Sequence, residues 1–353
     1  MIASPHIAVL TPYGPSRQVG GVEVFNECLR RSFGNVEIFG GTLPKGSEPL
    51  GALRRIGLGQ PVGALKAART LLRRHREAPF DVILSNGVYG WPLTLMRPRV
   101  PLIQAYHFTM AGLARTALSL PGDRLTTGRV TALFDRAAGI GKHVVAVSHR
   151  VLHEVESYYR LRGRFIPNGV DARTFRPMNR VSARERLGLP QGVRIGIFVG
   201  RPEHAKGYDI LLRVAGRMPR VLFLAAGGGG RPSGNVRPIE RIPHEEMPLW
   251  YSACDFFFMP SRYEGFSLSL LEALACDLPV VVSQAAWPFP EAPKQCGVAV
   301  PGTGEEEFAR AIQDTLESRG QFSPREFIVP RYEFETFRQA WRGFVDSLLD
   351  AGS

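Results

Sequence analysis

A chain of 353 residues with 44% hydrophobic and 22% charged residues has the length for two ordinary domains and the apolar content of a globular protein. It contains no run of 18 or more apolar residues, which argues against a membrane-spanning helix, and its first residues lack the basic and apolar regions of a signal peptide. A net charge of +12 asks for an anionic partner: nucleic acid, an anionic membrane or an anionic substrate.

Taken in chain order, residues 6–10 read as a first strand. A loop over 11–21 follows, ending in Gly20 and Gly21, and then a helix over 22–33. Between Lys45 and Arg76 lie Lys45, Arg54, Arg55, Lys66, Arg69, Arg73, Arg74 and Arg76 against Glu48 alone. No aromatic residues interleave with this run, so nucleic acid is a poor partner for it. A solvated helix face and an anionic membrane surface both fit. In the membrane reading Leu53, Ile56, Leu58, Val62, Leu65, Leu71 and Leu72 would supply apolar contact. Strands are predicted over 81–85, 101–105 and 143–148, with His107 just past the second of these. The Pro-Asn-Gly turn at Pro167, Asn168 and Gly169 places a domain boundary near Gly169. Beyond it, 194–200 and 221–227 are apolar strands, 227–234 is a glycine-rich loop, and 254–261 is a buried strand. Residues 331–349 form an amphipathic helix with Phe334, Phe337, Trp341, Phe344, Val345 and Leu348 on one face. Strands alternating with helices predict an α/β fold with parallel sheets and ligands at the carboxyl ends of the strands. Cys28, Cys254, Cys276 and Cys296 show no C-x-x-C pairing and read as free thiols of a cytoplasmic protein.

The segment 260–275 carries the chemistry. Glu264 and Glu272 bracket Gly265, Phe266 and Ser267, and an apolar run that reads as a helix follows. A helix N-terminus presents unpaired N–H groups and partial positive charge, so it can hold a phosphate. A ligand with a phosphate centre and hydroxyl-rich groups on both sides, such as a nucleotide sugar, suits this arrangement. The competing reading is a capping box with Ser269 as N-cap and Glu272 at the third helical position, leaving Glu264 solvated.

The segment resembles the P-S-x-x-E-G-F-x-x-x-x-x-E-A-x-A pattern of the retaining glycosyltransferases of the GT-B fold, family 4. Pro279-Val280-Val281 and Pro290-Glu291 continue the likeness. So do Gly200-Arg201 and the K-G-x-D-x-L-L layout from Lys206 to Leu212. The chain departs from the family at Asp277, where glycine is usual, so its helix is expected to close differently there. The resemblance implies two Rossmann-like domains facing across a cleft. The acceptor side would be 1–168 and the donor side 169–330, with a last helix over about 331–353 returning to the first domain. It implies Arg201 and Lys206 on the donor diphosphate, and Gly265, Phe266, Ser267 and Leu268 around its phosphate. Glu264 would lie on the donor sugar, Glu272 on the ribose and His107 beside the reaction centre. Gly20 and Gly21 would form a loop that approaches the phosphate and the acceptor. The chain has no D-x-D and no metal-spaced cluster. The implied reaction is therefore metal-independent transfer from a nucleotide-diphosphate sugar to a hydroxyl acceptor, be it a glycan, a lipid-linked sugar or a small molecule. Retention follows from the family, and no cofactor beyond the donor is implied. The alternatives are a GT-B sugar phosphorylase or epimerase, and a non-catalytic protein that binds nucleotide sugar or nucleic acid. The expected place is the cytoplasm, with peripheral attachment to the inner face of the membrane in the membrane reading.

Overall fold

The computed structural model describes residues 4–12, 20–40, 57–118, 120–240, 242–291 and 293–351. The chain divides into two compact units. One is Met1–Asn168 together with Glu335–Ser353, and the other is Gly169–Phe334.

The first unit is built on six parallel strands: β1 Ile7–Thr11, β2 Val36–Gly40, β3 Val82–Asn86, β4 Leu102–Tyr106, β5 His143–Ala146 and β6 Gly163–Phe165. Their order is β2-β1-β3-β4-β5-β6. The central strands are apolar along nearly their whole length because helices cover both faces of the sheet. The helix Gly59–Glu77 lays Ala64, Ala67, Ala68 and Leu71 against Ala8, Leu10 and Ile83. Its alanines let it lie close to the sheet. The helix Gly21–Phe33 meets the last helix, Phe334–Asp350, through aromatic edges. The Phe25 ring stands 5.9 Å from Phe337 and 5.6 Å from the fully buried Trp341. Arg342 donates to the Ser32 carbonyl at 2.7 Å.

The amphipathic pattern over 331–349 proves to be two helices, Pro324–Tyr332 and Phe334–Asp350. Glu333 is claimed by a bridge to Val170, with Val170 N donating to Tyr332 O at 2.8 Å and Phe334 N to Val170 O at 2.9 Å. That pairing needs an extended residue, which interrupts the helix.

The second unit repeats the plan with β7 Arg194–Val199, β8 Val221–Ala226, β9 Val236–Ile239, β10 Phe256–Met259, β11 Val280–Ser283 and β12 Gly297–Val300. The order is β12-β11-β10-β7-β8-β9, again all parallel. Pro238 is tolerated in β9 because β9 is an edge strand. Phe198, Phe223, Phe256, Phe258 and Phe308 fill the core.

In each sheet the first strand of the unit is an inner strand and the chain winds outward to either side of it. The winding reverses between β1 and β3 in one unit and between β7 and β10 in the other. Loops at the carboxyl ends of such a pair splay apart and leave a crevice for ligand.

At the opposite end of β10 the buried Asp255 carboxylate gathers guanidinium groups. Arg180, Arg184 and Arg319 donate to it at 2.6, 2.8 and 2.5 Å, and Ile195 N at 2.8 Å. Arg184 is itself buried and also donates to the Ala253, Gln191 and Val193 carbonyls. The cluster ties the helix Arg180–Arg186 and the turn at Arg319 to the amino ends of β7 and β10. Removing the one carboxylate strands a buried cation. Asp255→Ala should therefore lose about 3–5 kcal/mol of stability in urea unfolding. An unchanged urea midpoint would mean that packing, not charge pairing, holds this end of the unit.

Candidate functional site

The second unit's switch point is built by the loops after β7 and β10. Gly207 has φ of +72°, and a side-chain carbon placed on it would lie 2.2 Å from the Pro260 carbonyl oxygen. The loop that opens at Pro260 thus rests on the turn that ends at Lys206. Arg262 N donates to the Ala205 carbonyl at 2.9 Å, and the Arg262 guanidinium grips Asp209 with two bonds of 2.7 Å. Burial works against charge on Asp209, but its bonds from Arg262 and Arg213 outweigh that and hold its pKa at about 2.

This contact brings together two of the residues singled out in the sequence. Lys206 Nζ lies 2.7 Å from Glu264 Oε1, and Ser261 Oγ donates to the same oxygen at 2.9 Å. The Glu264 carboxylate is nearly buried, and Lys206 keeps about a third of its side chain open. Arg201 is not drawn into this pair. Its guanidinium sits in solvent and pairs with Glu203 at 2.8 Å.

The helix Leu268–Ala275 starts next to Glu264. Its N-cap is Ser267, whose hydroxyl accepts from Leu270 N, so the capping box centred on Ser269 does not form. Leu268 is buried and belongs to the helix, which moves the start two residues toward Gly265. Glu272 is then too far along the helix to reach back to the cap. Its carboxylate turns instead to His244 Nε2 at 2.8 Å and Tyr251 Oη at 2.9 Å. Burial opposes charge on His244, but Glu272 outweighs it and lifts the imidazole above its ordinary pKa. The Leu268 and Ser269 N–H groups have no acceptor within the helix and point out of its N-terminus. Phe266 does not face this opening as an apolar wall. Its ring is buried against Phe289 and Tyr332, each 5.6 Å away, and anchors the loop.

At Asp277 the departure from glycine changes less than expected. Asp277 itself takes the left-handed conformation, with φ of +58°. Leu278 N closes the helix by donating to Ala273 O at 3.0 Å, and the Asp277 carboxylate accepts from Arg325 N at 3.1 Å. That extra bond offsets the strain a non-glycine residue meets there.

In the first unit His107 follows β4 and its Nε2 lies 2.9 Å from Asn86 Oδ1 at the end of β3. Phe25 meets the imidazole edge-on, with ring centres 4.5 Å apart. The ring is part-buried, and burial pulls its pKa down to about 4, so it is neutral near pH 7. Gly20 is the N-cap of the helix Gly21–Phe33, and its N–H is taken by Glu23 Oε2 at 3.0 Å. Residues 13–19 of that loop lie outside the described residues.

The basic segment is corrected in part. Lys45, Glu48, Arg54, Arg55, Leu53 and Ile56 lie outside the described residues. In the helix Gly59–Glu77, Leu71 is core and Leu72 packs against that core, so these two are not open to a membrane, while Val62, Leu65 and the N-cap Leu58 are half-buried. Arg74 pairs with Glu37 at 2.8 Å. Lys66, Arg69, Arg73 and Arg76 remain exposed, at spacings of one helix stripe.

Four residues that sequence reasoning missed belong to these sites: Ser261, His244, Tyr251 and Asn86. Among the described residues there is no group of three or more His, Cys, Asp or Glu able to hold a metal, and no helix is long and apolar enough to cross a membrane.

The family model described as Glycosyltransferase Family 4 matches residues 21–174, and that described as Glycosyl transferases group 1 matches residues 194–318. The chain is 30% identical over 290 residues to a D-inositol 3-phosphate glycosyltransferase of Streptosporangium roseum, covering 72% of this chain and 65% of that one. It spans less than two thirds of the length of the curated relatives that it matches first. Among solved structures it is similar to a sucrose-phosphate synthase from Thermosynechococcus elongatus, with a TM-score of 0.83, 21% identity, and coverage of 99% and 100% of the two chains. It is also similar to Anabaena HepE in complex with UDP and glucose, with a TM-score of 0.73, 18% identity, and coverage of 98% and 100%.

A methyl group at residue 207 must push Pro260 away. Gly207→Ala should lower the melting temperature by about 5 °C, while Gly216→Ala, where the added carbon meets open space, should leave it within a degree or so or raise it. Equal melting of both variants would show that the two loops do not need to touch.

Proposed function

The chain belongs to the family 4, group 1 glycosyltransferases and has their GT-B fold, and we propose that it moves a sugar from a nucleotide-diphosphate sugar to a hydroxyl acceptor, with retention and without a metal ion. The observation that carries this reading is the Lys206–Glu264 pair, set beside a helix N-terminus at the switch point of the second sheet. Each part then has a task. Lys206 has three N–H donors, spends one on Glu264 and offers the others to the diphosphate. The first-turn N–H groups of Leu268 and Ser269 take the phosphate nearest the sugar. Glu264, held by Lys206 and Ser261, accepts from sugar hydroxyls. As the bond from the anomeric carbon to the diphosphate breaks, negative charge builds on the leaving group. Lys206 and the helix N-terminus are already aimed at it. The exposed Arg201–Glu203 pair is worth little, so Arg201 can turn to the diphosphate at small cost. Glu272 has lone pairs left beyond His244 and Tyr251 with which to accept from ribose hydroxyls.

No covalent nucleophile is needed if the departing phosphate itself assists the acceptor on the same face. Metal independence is argued from the sequence, which has no D-x-D. Anabaena HepE was solved with UDP and glucose, which supports a uridine-type donor here. This chemistry calls for no cofactor beyond the donor.

The stripe of Lys66, Arg69, Arg73 and Arg76 favours an anionic acceptor environment. One form is a lipid-linked acceptor on an anionic membrane. Binding would then be electrostatic, at about 1 kcal/mol per basic residue, because the apolar face of the helix is spent on the core. The other form is a small phosphorylated polyol, in line with the name of the S. roseum relative.

Transfer or slow hydrolysis of a panel of nucleotide sugars should persist in excess EDTA. In protein shown to be folded by its melting curve, Glu264→Gln, Lys206→Ala and Arg201→Ala should each lower kcat/KM at least about tenfold, and Glu272→Ala should mainly weaken nucleotide binding. Loss of activity in EDTA with recovery on adding manganese would sink the metal-free reaction. Near-normal kinetics in all four variants would sink the site.

Co-sedimentation with anionic liposomes at low salt should exceed that with neutral ones and fade as salt rises. Equal pelleting with both lipids, or none with either, would leave the soluble phosphorylated acceptor.

A further inference from the structure

The carboxyl ends of β1, β3 and β4 are bridged by a line of side chains that no part of the donor chemistry above uses. Thr11 Oγ1 accepts from Asn26 Nδ2 at 3.3 Å. Asn26 Oδ1 accepts from Asn86 Nδ2 at 3.0 Å, and Asn86 Oδ1 faces His107 Nε2 at 2.9 Å. Thr11, Asn26 and Asn86 are each 2% exposed or less. Asn26 is out of place by composition, since the buried face of its helix is otherwise Phe25, Leu29, Ser32 and Phe33. A buried amide in an apolar stripe costs stability unless both its ends are bonded.

An amide carries its donor on one side and its acceptor on the other, so polarity passes along the line. With Asn26 giving N–H to Thr11, its oxygen faces Asn86, which must answer with N–H and turn its own oxygen to His107. Turning either amide alone would set oxygen against oxygen or N–H against N–H, at about 1–3 kcal/mol in a buried site. Only turning both amides together, with the Thr11 hydroxyl donating, would reverse the line; in the orientation that the structure has, Asn86 Oδ1 faces the ring, an amide oxygen can only accept, and Nε2 carries the imidazole proton, which in a neutral ring makes Nδ1 an acceptor. Phe25 packs on the edge of the ring and is itself braced by Phe337 and Trp341, which keeps the imidazole from rotating out of this line.

We propose that Thr11, Asn26 and Asn86 are positioning residues that hold His107 as the neutral Nε2–H tautomer, so that Nδ1 accepts a hydrogen bond from a substrate hydroxyl. That the hydroxyl belongs to a sugar rests on the glycosyl-transfer reading; the tautomer does not. On this basis His107 orients a hydroxyl rather than donating a proton to a leaving group.

The tautomer is read directly by long-range proton–nitrogen correlation NMR of the full-length protein labelled at histidine, with the His107 signals assigned by their loss in His107→Asn. The expected spectrum has a protonated Nε2 and an unprotonated Nδ1. Asn26→Leu leaves Asn86 in place but frees its amide to turn. It should shift the ring toward Nδ1–H and lower kcat about tenfold, with the donor KM changed little. Asn86→Asp keeps an acceptor at Nε2 and should retain the Nε2 proton. A wild-type ring protonated at Nδ1, or an Asn26→Leu ring that stays Nε2–H with unchanged kcat, would overturn the relay. Donor turnover by a protein whose ring is Nδ1–H would overturn the relay alone. An Nε2–H ring that Asn26→Leu shifts, in a protein that turns over no nucleotide sugar, would uphold the relay and overturn glycosyl transfer alone.

Discussion

The Pro260 carbonyl oxygen lies so close to Gly207 that no side chain fits between them, and the site of the second unit follows from that approach. Lys206 precedes Gly207, so wherever the contact forms, an ammonium group is delivered beside the loop after β10. Glu264 is only four residues beyond Pro260, too short a span to wander, and Ser267 caps the next helix within the same stretch. The Arg262–Asp209 pair is a second stitch between the same two segments. A cation, a carboxylate and a helix N-terminus are thereby fixed relative to one another before any ligand arrives. Groups that need not reorganise as charge develops stabilise it most.

The supports of the two units differ in kind. In the second, ionisable groups pair: Lys206 with Glu264, His244 with Glu272, and Asp255 with its guanidinium groups. In the first, the support of His107 is neutral, made of amides and aromatic edges. The neutral surroundings suit an imidazole whose burial disfavours its charged form.

The central strands were legible because helices on both faces make β3, β7, β8 and β10 continuous apolar runs. The segment 260–275 was legible because the residues that hold a phosphate and its neighbours must lie close together at one helix N-terminus. The strands β2, β11 and β12 were not read as strands, and neither were the edge strands β6 and β9. One is three residues long, and the other contains Pro238, which only its place at the rim permits. Ser267 and Ser269 both offer a cap, and the glutamate three residues after Ser269 favours the wrong one until the burial of Leu268 is known. Leu71 and Leu72 of the helix Gly59–Glu77 look available for lipid in a one-dimensional pattern, yet they pack into the core beside the sheet. His244 and Tyr251 reach Glu272 only through the fold. Asn26 did leave a trace, as an amide on a largely apolar helix face, but its partners come from two strands, β1 and β3.

The bond from Arg342 to Ser32 joins residues 310 positions apart, and it has a consequence for how the protein is made. At about 5–20 residues per second, a ribosome needs about 15 to 60 s to travel that far. Throughout that interval Phe25 and Phe33 have been synthesised, but the helix bearing Phe337 and Trp341 has not. The second unit, by contrast, is one continuous stretch and has every part it needs as soon as Phe334 emerges. The unit synthesised second can thus be the first to finish folding. The unit synthesised first waits with an open aromatic seam, and the brace behind His107 is among the last pieces to be set.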